Sequence, residues 1–368
     1  MNTGAPPTDP ARSSGDAPHV AQPLDDVERA LLAQLHFAVA RWQEGLDLCA
    51  SAAADARGLQ LVAARACFGL GDRQGALRAV EQLLERHPGY ALGLYHKAQF
   101  LAQSGRPGDA VAVLFELISH APDFPGALPT LASLRFPGPS YRDILRRLHE
   151  ELQPRTYLEI GVEHGTTLKL ATHSERAVGV DPAPQPGALE LPPNTRVFHD
   201  TSDSFFRTHR RADVFGAKPV DLAFIDGMHL FEYALRDFCN VEKWCGPEST
   251  IILHDCLPVA KVAASRERET KFWVGDTWKA LECLLAERRD LQISVIPCQP
   301  SGLVVVHRVD PHETSLEPRL PALCATYAAL EYTYEAGSIP NHYPLVPNAE
   351  PPLSRLIASL RRSSHGAP

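Results

Sequence analysis

The sequence lacks a hydrophobic run long enough to cross a membrane, since no apolar segment approaches the ~18 residues that a span requires. It also lacks a basic excess, and its formal net charge of -8 argues against nucleic acid as a partner. The first residues show neither the charged region nor the apolar core of a secretory signal. These absences predict a cytoplasmic protein that acts on neither a membrane nor a nucleic acid.

The eight cysteines form no Cys-x-x-Cys pair and no dense framework, which favours reduced thiols over a disulfide scaffold. A length of 368 residues leaves room for two domains, and 44% hydrophobic residues are enough to bury a core. Residues 1–24 are rich in Pro, Ala, Ser and Gly without apolar periodicity, so we predict a disordered arm there.

Residues 25–135 predict an all-α domain of tetratricopeptide-like repeats. The motif GDRQGA at 71–76 returns as GRPGDA at 105–110, and the HP pair at 87–88 returns as AP at 121–122, which is the 34-residue period of such repeats. A shorter unit at 33–54 would bring the array to about three repeats, near the minimum for a stable stack. The array could bind a protein partner, mediate self-association or act only as a spacer.

Residues 140–310 predict an α/β domain, and residues 311–368 a C-terminal extension that could form a lid. An amphipathic helix at 141–152 leads into apolar segments that alternate with helical patterns, which implies a largely parallel sheet covered by helices on both faces. The predicted strands lie at about 157–160, 177–180, 195–198, 220–225, 250–253, 292–296 and 303–307.

The stretch YLEIGVEHGTTLKLATHSERAVGVD at 157–181 predicts a strand, a glycine turn, a helix to about residue 172 and a second strand. Because ligands bind beyond the carboxyl ends of parallel strands, Glu159, Gly161, Gly165 and Asp181 would meet at one crevice. The turn has one glycine fewer than G-x-G-x-x-G, and its acid would repel a pyrophosphate. The pattern favours S-adenosylmethionine over NAD, and an ordinary strand-turn-helix is the alternative.

Polar residues also end the next three strands. Those after the third strand, which could meet an adenine edge, are Asp200, Thr201 and Ser202. Asp226 and Asp255 would place two carboxylates on one rim, within reach of His229 and His254. Such oxygen ligands suit Mg²⁺ or Mn²⁺, and imidazole shifts the preference toward Zn²⁺, Fe²⁺ or Ni²⁺. The alternatives are a helix cap for His229 and a structural hydrogen bond for His254.

Six segments in order, YLEIGVEHGTTL, GVD, DLAFIDGMH with FEYALRDF, IILHDC, VGDTWKAL and GLVVVHR, resemble the class I S-adenosylmethionine-dependent methyltransferases. The resemblance spans about residues 155–308 and is closest to small bacterial O-methyltransferases with IDGxH and HD strand ends. It implies a Rossmann-like seven-stranded sheet whose last hairpin is reversed, and methyl transfer from S-adenosylmethionine. It also implies which residues contact the cofactor. Glu159, Gly161 and Gly165 would contact its methionine end, Asp181 its ribose, and Asp200 with Thr201 or Ser202 its adenine.

The same resemblance implies a metal site and a base. Related metal-dependent enzymes hold Mg²⁺ with an acid after strand four and a pair after strand five, places that Asp226, His254 and Asp255 occupy here. His229 matches the position of a general base, three residues after the first metal acid. Trp278 could stack on an acceptor or pack internally, and Lys279 could steer an anionic acceptor.

Three functions remain open at this point. The first is O-methylation of a small-molecule hydroxyl on a glycosyl, phenolic or polyketide acceptor. The second is methylation of a protein or nitrogen acceptor docked by the repeats. The third is a non-catalytic repeat scaffold with a cofactor-binding fold.

Overall fold

A computed structural model describes residues 29, 33–34, 36, 41–50, 56–185, 191–333 and 338–364. The chain divides into two compact units, one ending at Arg86 and the other starting at His87. The arm predicted at 1–24 lies outside the described residues. Among the described helices, none combines the length and the apolar character that crossing a bilayer would need.

From residue 41 onwards, the described part of the first unit includes helices α1 (Trp42–Ala50), α2 (Arg57–Gly69) and α3 (Arg73–Arg86). Helices α2 and α3 form one repeat around the turn at Gly71, whose φ of 88° is the left-handed conformation that glycine tolerates. The carboxylate of Asp72 accepts a hydrogen bond of 2.8 Å from the Gly75 amide and so caps α3. Ala64 and Ala76 are fully buried, as expected where paired helices approach closely.

The second unit starts with helices α4 (Ala91–Gln103), α5 (Pro107–His120) and α6 (Ala127–Arg135). The α4–α5 pair repeats the same design, because Gly105 also has a positive φ, of 79°, and Ala98 and Ala110 are fully buried. The helical repeats predicted before the α/β domain are therefore present in the folded chain.

Seven strands follow and form a single sheet in the order β3-β2-β1-β4-β5-β7-β6. They are β1 (Thr156–Ile160), β2 (Arg176–Val180), β3 (Thr195–Phe198), β4 (Val220–Ile225), β5 (Cys245–His254), β6 (Gln292–Ile296) and β7 (Leu303–His307). All neighbours are parallel except that β7 runs antiparallel to both β5 and β6. The predicted seven-stranded Rossmann-like sheet with a reversed last hairpin is confirmed.

Among the described residues of this unit, seven helices accompany the sheet. They are α7 (Tyr141–Leu152), α8 (Ser202–Thr208), α9 (Arg211–Phe215), α10 (Phe231–Glu242), α11 (Trp278–Glu287), α12 (Leu320–Ala328) and α13 (Pro352–Ser364). Helix α7 starts with a capping box between Ser140 and Asp143 and buries its apolar face together with α13 in the core beneath the sheet.

The prediction of an α-helix after the glycine turn is wrong, since only a 3₁₀ turn at Leu168–Leu170 forms there. The Thr167 hydroxyl, which could have capped a helix, donates to Glu159 instead at 2.9 Å. Two consecutive β-branched threonines also disfavour a helical start.

Part of the C-terminal extension pairs with the edge of the sheet. Backbone hydrogen bonds of 2.9 Å join Val295 to Pro344 and Val346, so this segment lengthens the sheet along the β6 edge. Arg147 of α7 donates to Glu350 and, at 2.6 Å, to Ser354.

A buried histidine beneath the sheet gives a prediction for acid stability. His149 is 1% exposed, and neither ring nitrogen has a hydrogen-bond partner among the described residues. Burial, with a smaller contribution from His173, lowers the pKa of His149 to about 4 from the ordinary 6.5. Between these values the unfolded chain binds a proton that the folded chain does not, so stability falls as pH falls from about 6.5 towards 4.

We expect this histidine to cost roughly 2 kcal/mol of unfolding free energy between pH 7 and pH 5. Urea unfolding of His149→Leu at both pH values should show a correspondingly smaller loss than the unmodified chain. The exposed His120→Leu variant serves as the control and should keep the original pH dependence. Equal pH dependence in both variants would show that His149 is not held neutral.

Candidate active site

The carboxyl ends of the parallel strands surround a cavity of about 900 Å³, which is in the range of ligand sites, roughly 300–1,000 Å³. The predicted site residues that line it are Gly161, Asp181, Thr201, Ser202, Asp226, His229, His254 and Asp255. Three other predicted residues, Glu159, Gly165 and Asp200, are not part of its wall. The cavity is also lined by residues of the α7 start and of the loop 265–274.

Gly161 allows the loop after β1 to pass over the loop after β4. Its φ is 87°, and a Cβ built on it would lie 1.9 Å from the carbonyl oxygen of Asp226. Hydrogen bonds of 2.9 Å from the Gly161 amide to Val180 and of 2.8 Å from the Asp226 amide to Ile160 fix this crossing. A larger residue at 161 would therefore displace backbone at the cavity wall.

Asp181, at the tip of β2, organises the glycine loop. Its Oδ2 accepts hydrogen bonds from the amides of Val162 at 2.9 Å and Glu163 at 2.8 Å, while Oδ1 accepts from Ala183 at 2.8 Å. A carboxylate offers about four acceptor sites, so Asp181 retains capacity for a ligand hydroxyl in the cavity that it lines.

Glu159 lies below this loop and not at the cavity wall. It is fully buried and accepts hydrogen bonds from Tyr157 at 2.6 Å and Thr167 at 2.9 Å. Burial raises the pKa of Glu159 to about 8, although both hydrogen bonds oppose that rise. The carboxyl group holds the strand and the loop together, so direct contact with a ligand's methionine end does not follow from this geometry.

The residues after β3 divide between the cavity and the helix that follows. Thr201 and Ser202 line the cavity, and the Thr201 hydroxyl caps α8 by accepting from the Ser204 amide at 3.2 Å. Asp200 instead accepts from the Thr201 amide at 2.9 Å. Asp237 of α10, which sequence reasoning missed, also lines the cavity and is 2% exposed. The sequence feature that could have identified Asp237 is an acid next to Phe238 on the buried face of an amphipathic helix. Burial raises the pKa of Asp237 to about 7.

Asp226, His229 and Asp255 meet beyond β4 and β5. One ligand atom from each lies within 4.8 Å of the others, a separation that fits a shared metal ion. His229 Nε2 is 3.3 Å from Asp226 and 3.1 Å from Asp255. Both His229 and Asp255 have positive φ values, 54° and 59°, which is uncommon for residues other than glycine. Such strain often accompanies function.

The Trp273 backbone determines the tautomer of His229. The Nδ1 atom lies 3.3 Å from the Trp273 carbonyl oxygen, and because a carbonyl only accepts, Nδ1 carries the proton. The Nε2 atom therefore faces the carboxylates of Asp226 and Asp255. Burial acts to lower the pKa of His229, but Asp255 and Asp226 outweigh it and raise that pKa to about 10.

His254 supports this cluster from one side. Its Nδ1 lies 3.1 Å from Asp226 Oδ1, its Nε2 lies 3.3 Å from the Ser301 hydroxyl, and its ring stacks on Tyr141 at 4.2 Å. Ser301 also donates to Asp255. Burial acts to lower the pKa of His254, whereas Asp255 and Asp226 raise it above the ordinary value. The structure thus brings His229 to the metal-binding arrangement, and the predicted ligand His254 contacts the same two carboxylates, with Nδ1 3.1 Å from Asp226 and 3.4 Å from Asp255.

The two residues predicted near an acceptor do not face the cavity. Trp278 is 2% exposed and packs with Tyr332 and Ala264. Lys279 is buried and donates to the Ala328 carbonyl at 2.9 Å. Trp273 instead lines the cavity, and its ring stacks on His229 with centroids 5.5 Å apart.

Comparison with known proteins agrees with this architecture. Residues 158–256 match the family model described as a methyltransferase domain, and residues 68–134 match the model of a tetratricopeptide repeat. Residues 158–256 thus form a methyltransferase domain, preceded by tetratricopeptide repeats at residues 68–134. The prediction of a methyltransferase domain preceded by such repeats is thereby confirmed.

Several solved structures of low sequence identity resemble parts of this chain. No curated protein matches it. An O-methyltransferase from Bacillus cereus in complex with SAH is 16% identical over 53% of this chain and 96% of its own, with a TM-score of 0.35. TomG, an O-methyltransferase of Streptomyces achromogenes involved in tomaymycin synthesis, is 16% identical over 54% and 96%, with 0.36. A tetratricopeptide repeat protein from Parabacteroides merdae is 19% identical over 32% of this chain and 47% of its own, with 0.28.

Proposed function

We propose that the enzyme transfers the methyl group of S-adenosylmethionine to a small-molecule hydroxyl, assisted by a divalent cation at Asp226, His229 and Asp255. The observation that carries this proposal is the His229 ring, whose Nε2 atom faces two carboxylates while Nδ1 is committed to a carbonyl. A neutral imidazole would direct its lone pair at negative charge, so the arrangement requires a cation or a second proton at that point.

The cofactor fits the glycine-loop end of the cavity. Its ribose and adenine would be held by Asp181, Thr201 and Ser202, and the backbone can approach closely at Gly161 because no Cβ intervenes. When bound there, S-adenosylmethionine supplies a methyl group activated by a sulfonium. The volume of about 900 Å³ leaves space for an acceptor beside it.

The cluster also suits a divalent ion. Two carboxylates and one imidazole are donors that Mn²⁺, Fe²⁺ or Zn²⁺ accept, and Mg²⁺ would take the oxygens with water. Metal-bound histidines typically donate their other N–H to a carbonyl or carboxylate, which is what Nδ1 does toward Trp273. A bound cation would lower the pKa of an acceptor hydroxyl.

This assignment changes the role of His229 from that of a base. With a cation at the cluster, the Nε2 lone pair of His229 is committed to the ion and Nδ1 to the Trp273 carbonyl, so His229 has no free nitrogen to accept a proton from the acceptor. His254 and Ser301 position the two carboxylates through their contacts with Asp226 and Asp255. Placement of the acceptor oxygen beside the methyl donor then accounts for much of the rate.

A protein acceptor docked by the repeats is the second candidate, and contacts within the second unit favour it. Asp123, in the turn between α5 and α6, accepts a 2.7 Å hydrogen bond from the Lys271 amide in the loop 265–274. Arg135 of α6 donates to the Val259 carbonyl at 2.5 Å. The final repeat therefore borders the loop at the cavity, so a protein held by the repeats could present a side chain there.

Calorimetry separates the cofactor claim from the metal claim. We expect S-adenosylmethionine to bind and NAD not to bind, with Asp181→Ala weakening binding about tenfold because a charged hydrogen-bond acceptor is lost. The exposed Asp213→Ala variant is the control and should bind normally.

EDTA should stop methyl transfer but change cofactor affinity by less than about threefold, and Mg²⁺ or Mn²⁺ should restore transfer. Absence of S-adenosylmethionine binding would refute the cofactor claim, and EDTA-resistant transfer would refute the metal claim.

A further inference from the structure

Three cationic side chains line the cavity, Arg142 at the start of α7 and Arg268 and Lys271 in the loop 265–274. Arg142 donates to the Tyr141 hydroxyl at 3.0 Å, and Arg268 donates to the Lys271 carbonyl at 3.2 Å. Among the described residues, no carboxylate forms an ion pair with any of the three. Other arginines of this unit are paired with acids, in Arg236–Asp203, Arg266–Glu232, Arg288–Glu242 and Arg319–Glu287.

These cations flank the carboxylate-histidine cluster. Tyr141, next to Arg142, stacks on His254 at 4.2 Å. On the other side the guanidinium carbon of Arg268 lies 6.0 Å from the ring of Trp273, which itself stacks on His229. A single aromatic side chain, Tyr141 or Trp273, thus separates each arginine from a histidine of the proposed reaction centre.

The acids of the cavity outside that cluster lie elsewhere. Glu163, Asp181 and Asp203 follow β1, β2 and β3, which is the end proposed for the cofactor, and Asp237 of α10 contacts Ser202 at that end. In a chain with a net charge of -8, three cations without acidic partners beside the cluster favour binding of an anion there.

The loop that carries two of these cations is held in place before any ligand arrives. The Lys271 amide donates to Asp123 at 2.7 Å, the Thr270 hydroxyl to the Phe272 carbonyl at 2.7 Å, and the Trp273 indole to the Ser265 carbonyl at 2.7 Å. Binding an anion there would order little backbone, and this lowers the entropic cost of binding.

We propose that the methyl acceptor carries an anionic group, a carboxylate or a phosphate, in addition to its hydroxyl, and that Arg142, Arg268 and Lys271 bind this group. The proposal rests on the proposed function, because it assigns the substrate class of the same cavity. The anion is bound beside the cluster, and the rings of Phe272 and Trp273 offer apolar faces to the rest of the molecule. Arginine and lysine differ in this role. A guanidinium can bind a carboxylate or a phosphate through two parallel hydrogen bonds, whereas the lysine ammonium acts as a point charge.

The test measures binding to the full chain loaded with S-adenosylhomocysteine and MgCl₂. Two matched pairs of probes differ in charge, 3,4-dihydroxybenzoate against its amide, and glucuronate against glucose. We expect the acid of at least one pair to bind about tenfold more tightly than its neutral partner, as for a hydrogen bond to a charged group. Arg268→Gln and Lys271→Gln should each remove most of that preference and leave binding of the neutral probe within about threefold. Lys261→Gln, an exposed lysine outside the cavity, is the control.

The outcomes separate the two proposals. Failure of S-adenosylhomocysteine to bind would overturn the proposed function, and the acceptor assignment with it, before any probe is added. With the cofactor product bound, equal affinities within both pairs, or no binding of either acid, would overturn the anionic acceptor alone. If Arg142→Gln weakens only S-adenosylhomocysteine, Arg142 serves the cofactor's own carboxylate and is removed from the acceptor site. The acid preference should also decline as salt rises, since exposed charges are screened.

Discussion

Replacing Asp226 by asparagine is expected to lower the rate of methyl transfer at least about 100-fold, a loss of roughly 3 kcal/mol in transition-state stabilisation. Asp226 contacts His229 Nε2 at 3.3 Å and His254 Nδ1 at 3.1 Å, so the substitution removes the charge that faces both rings. Burial disfavours a charged Asp226, but the charge of His254 and the hydrogen bond from His229 lower its pKa below the ordinary value. An amide in this place offers a cation only one neutral oxygen.

The measurement is kcat with saturating S-adenosylmethionine, together with calorimetry of the cofactor and of Mn²⁺. Cofactor affinity should stay within about threefold, because the side chain of Asp226 acts at the acceptor end, whereas Mn²⁺ affinity should fall at least about tenfold. Glu248→Gln, an exposed acid in the same strand as His254, is the control for loss of one negative charge. If Asp226→Asn retained both Mn²⁺ binding and transfer, the cluster would not be the reaction centre.

Sequence patterns were most informative where a physical rule ties residue spacing to position. The repeat offset, the sheet and the gathering of Gly161, Asp181 and Asp226 at one edge all follow from periodicity and from the geometry of parallel strands. Strands β3, β6 and β7 begin and end where their apolar segments predict.

Side-chain direction is what residue spacing does not determine. His254 ends β5 and places its Nδ1 3.1 Å from Asp226, whereas His229 approaches the same carboxylate through a left-handed backbone that no sequence pattern predicts. That conformation depends on Gly275, forty-six residues later, because a Cβ there would lie 1.8 Å from the His229 carbonyl oxygen. The role of Trp273 was missed for the same reason, since its contacts arise from a loop without periodicity.

Gly161→Ala is expected to lower the unfolding free energy by roughly 3–5 kcal/mol, or to preserve the fold only by shifting the loop after β4. Two costs add. A φ of 87° is strained for alanine, and the new Cβ would lie 1.9 Å from the Asp226 carbonyl oxygen. The oxygen cannot easily retreat, because the amide of the same residue is hydrogen-bonded to Ile160 at 2.8 Å.

A matched control separates the clash from the strain. Gly105 has a similar φ of 79°, but a Cβ there would meet no atom within 4 Å, so Gly105→Ala should cost only about 1 kcal/mol and leave the cavity unchanged. Urea unfolding and S-adenosylmethionine calorimetry on both variants provide the comparison. For any Gly161→Ala protein that folds, we expect cofactor affinity to fall at least about tenfold, because the displaced wall is the surface that the cofactor would contact. Equal stability losses with undiminished affinity in both variants would mean that the close approach of the β1 and β4 loops does not shape the cofactor site.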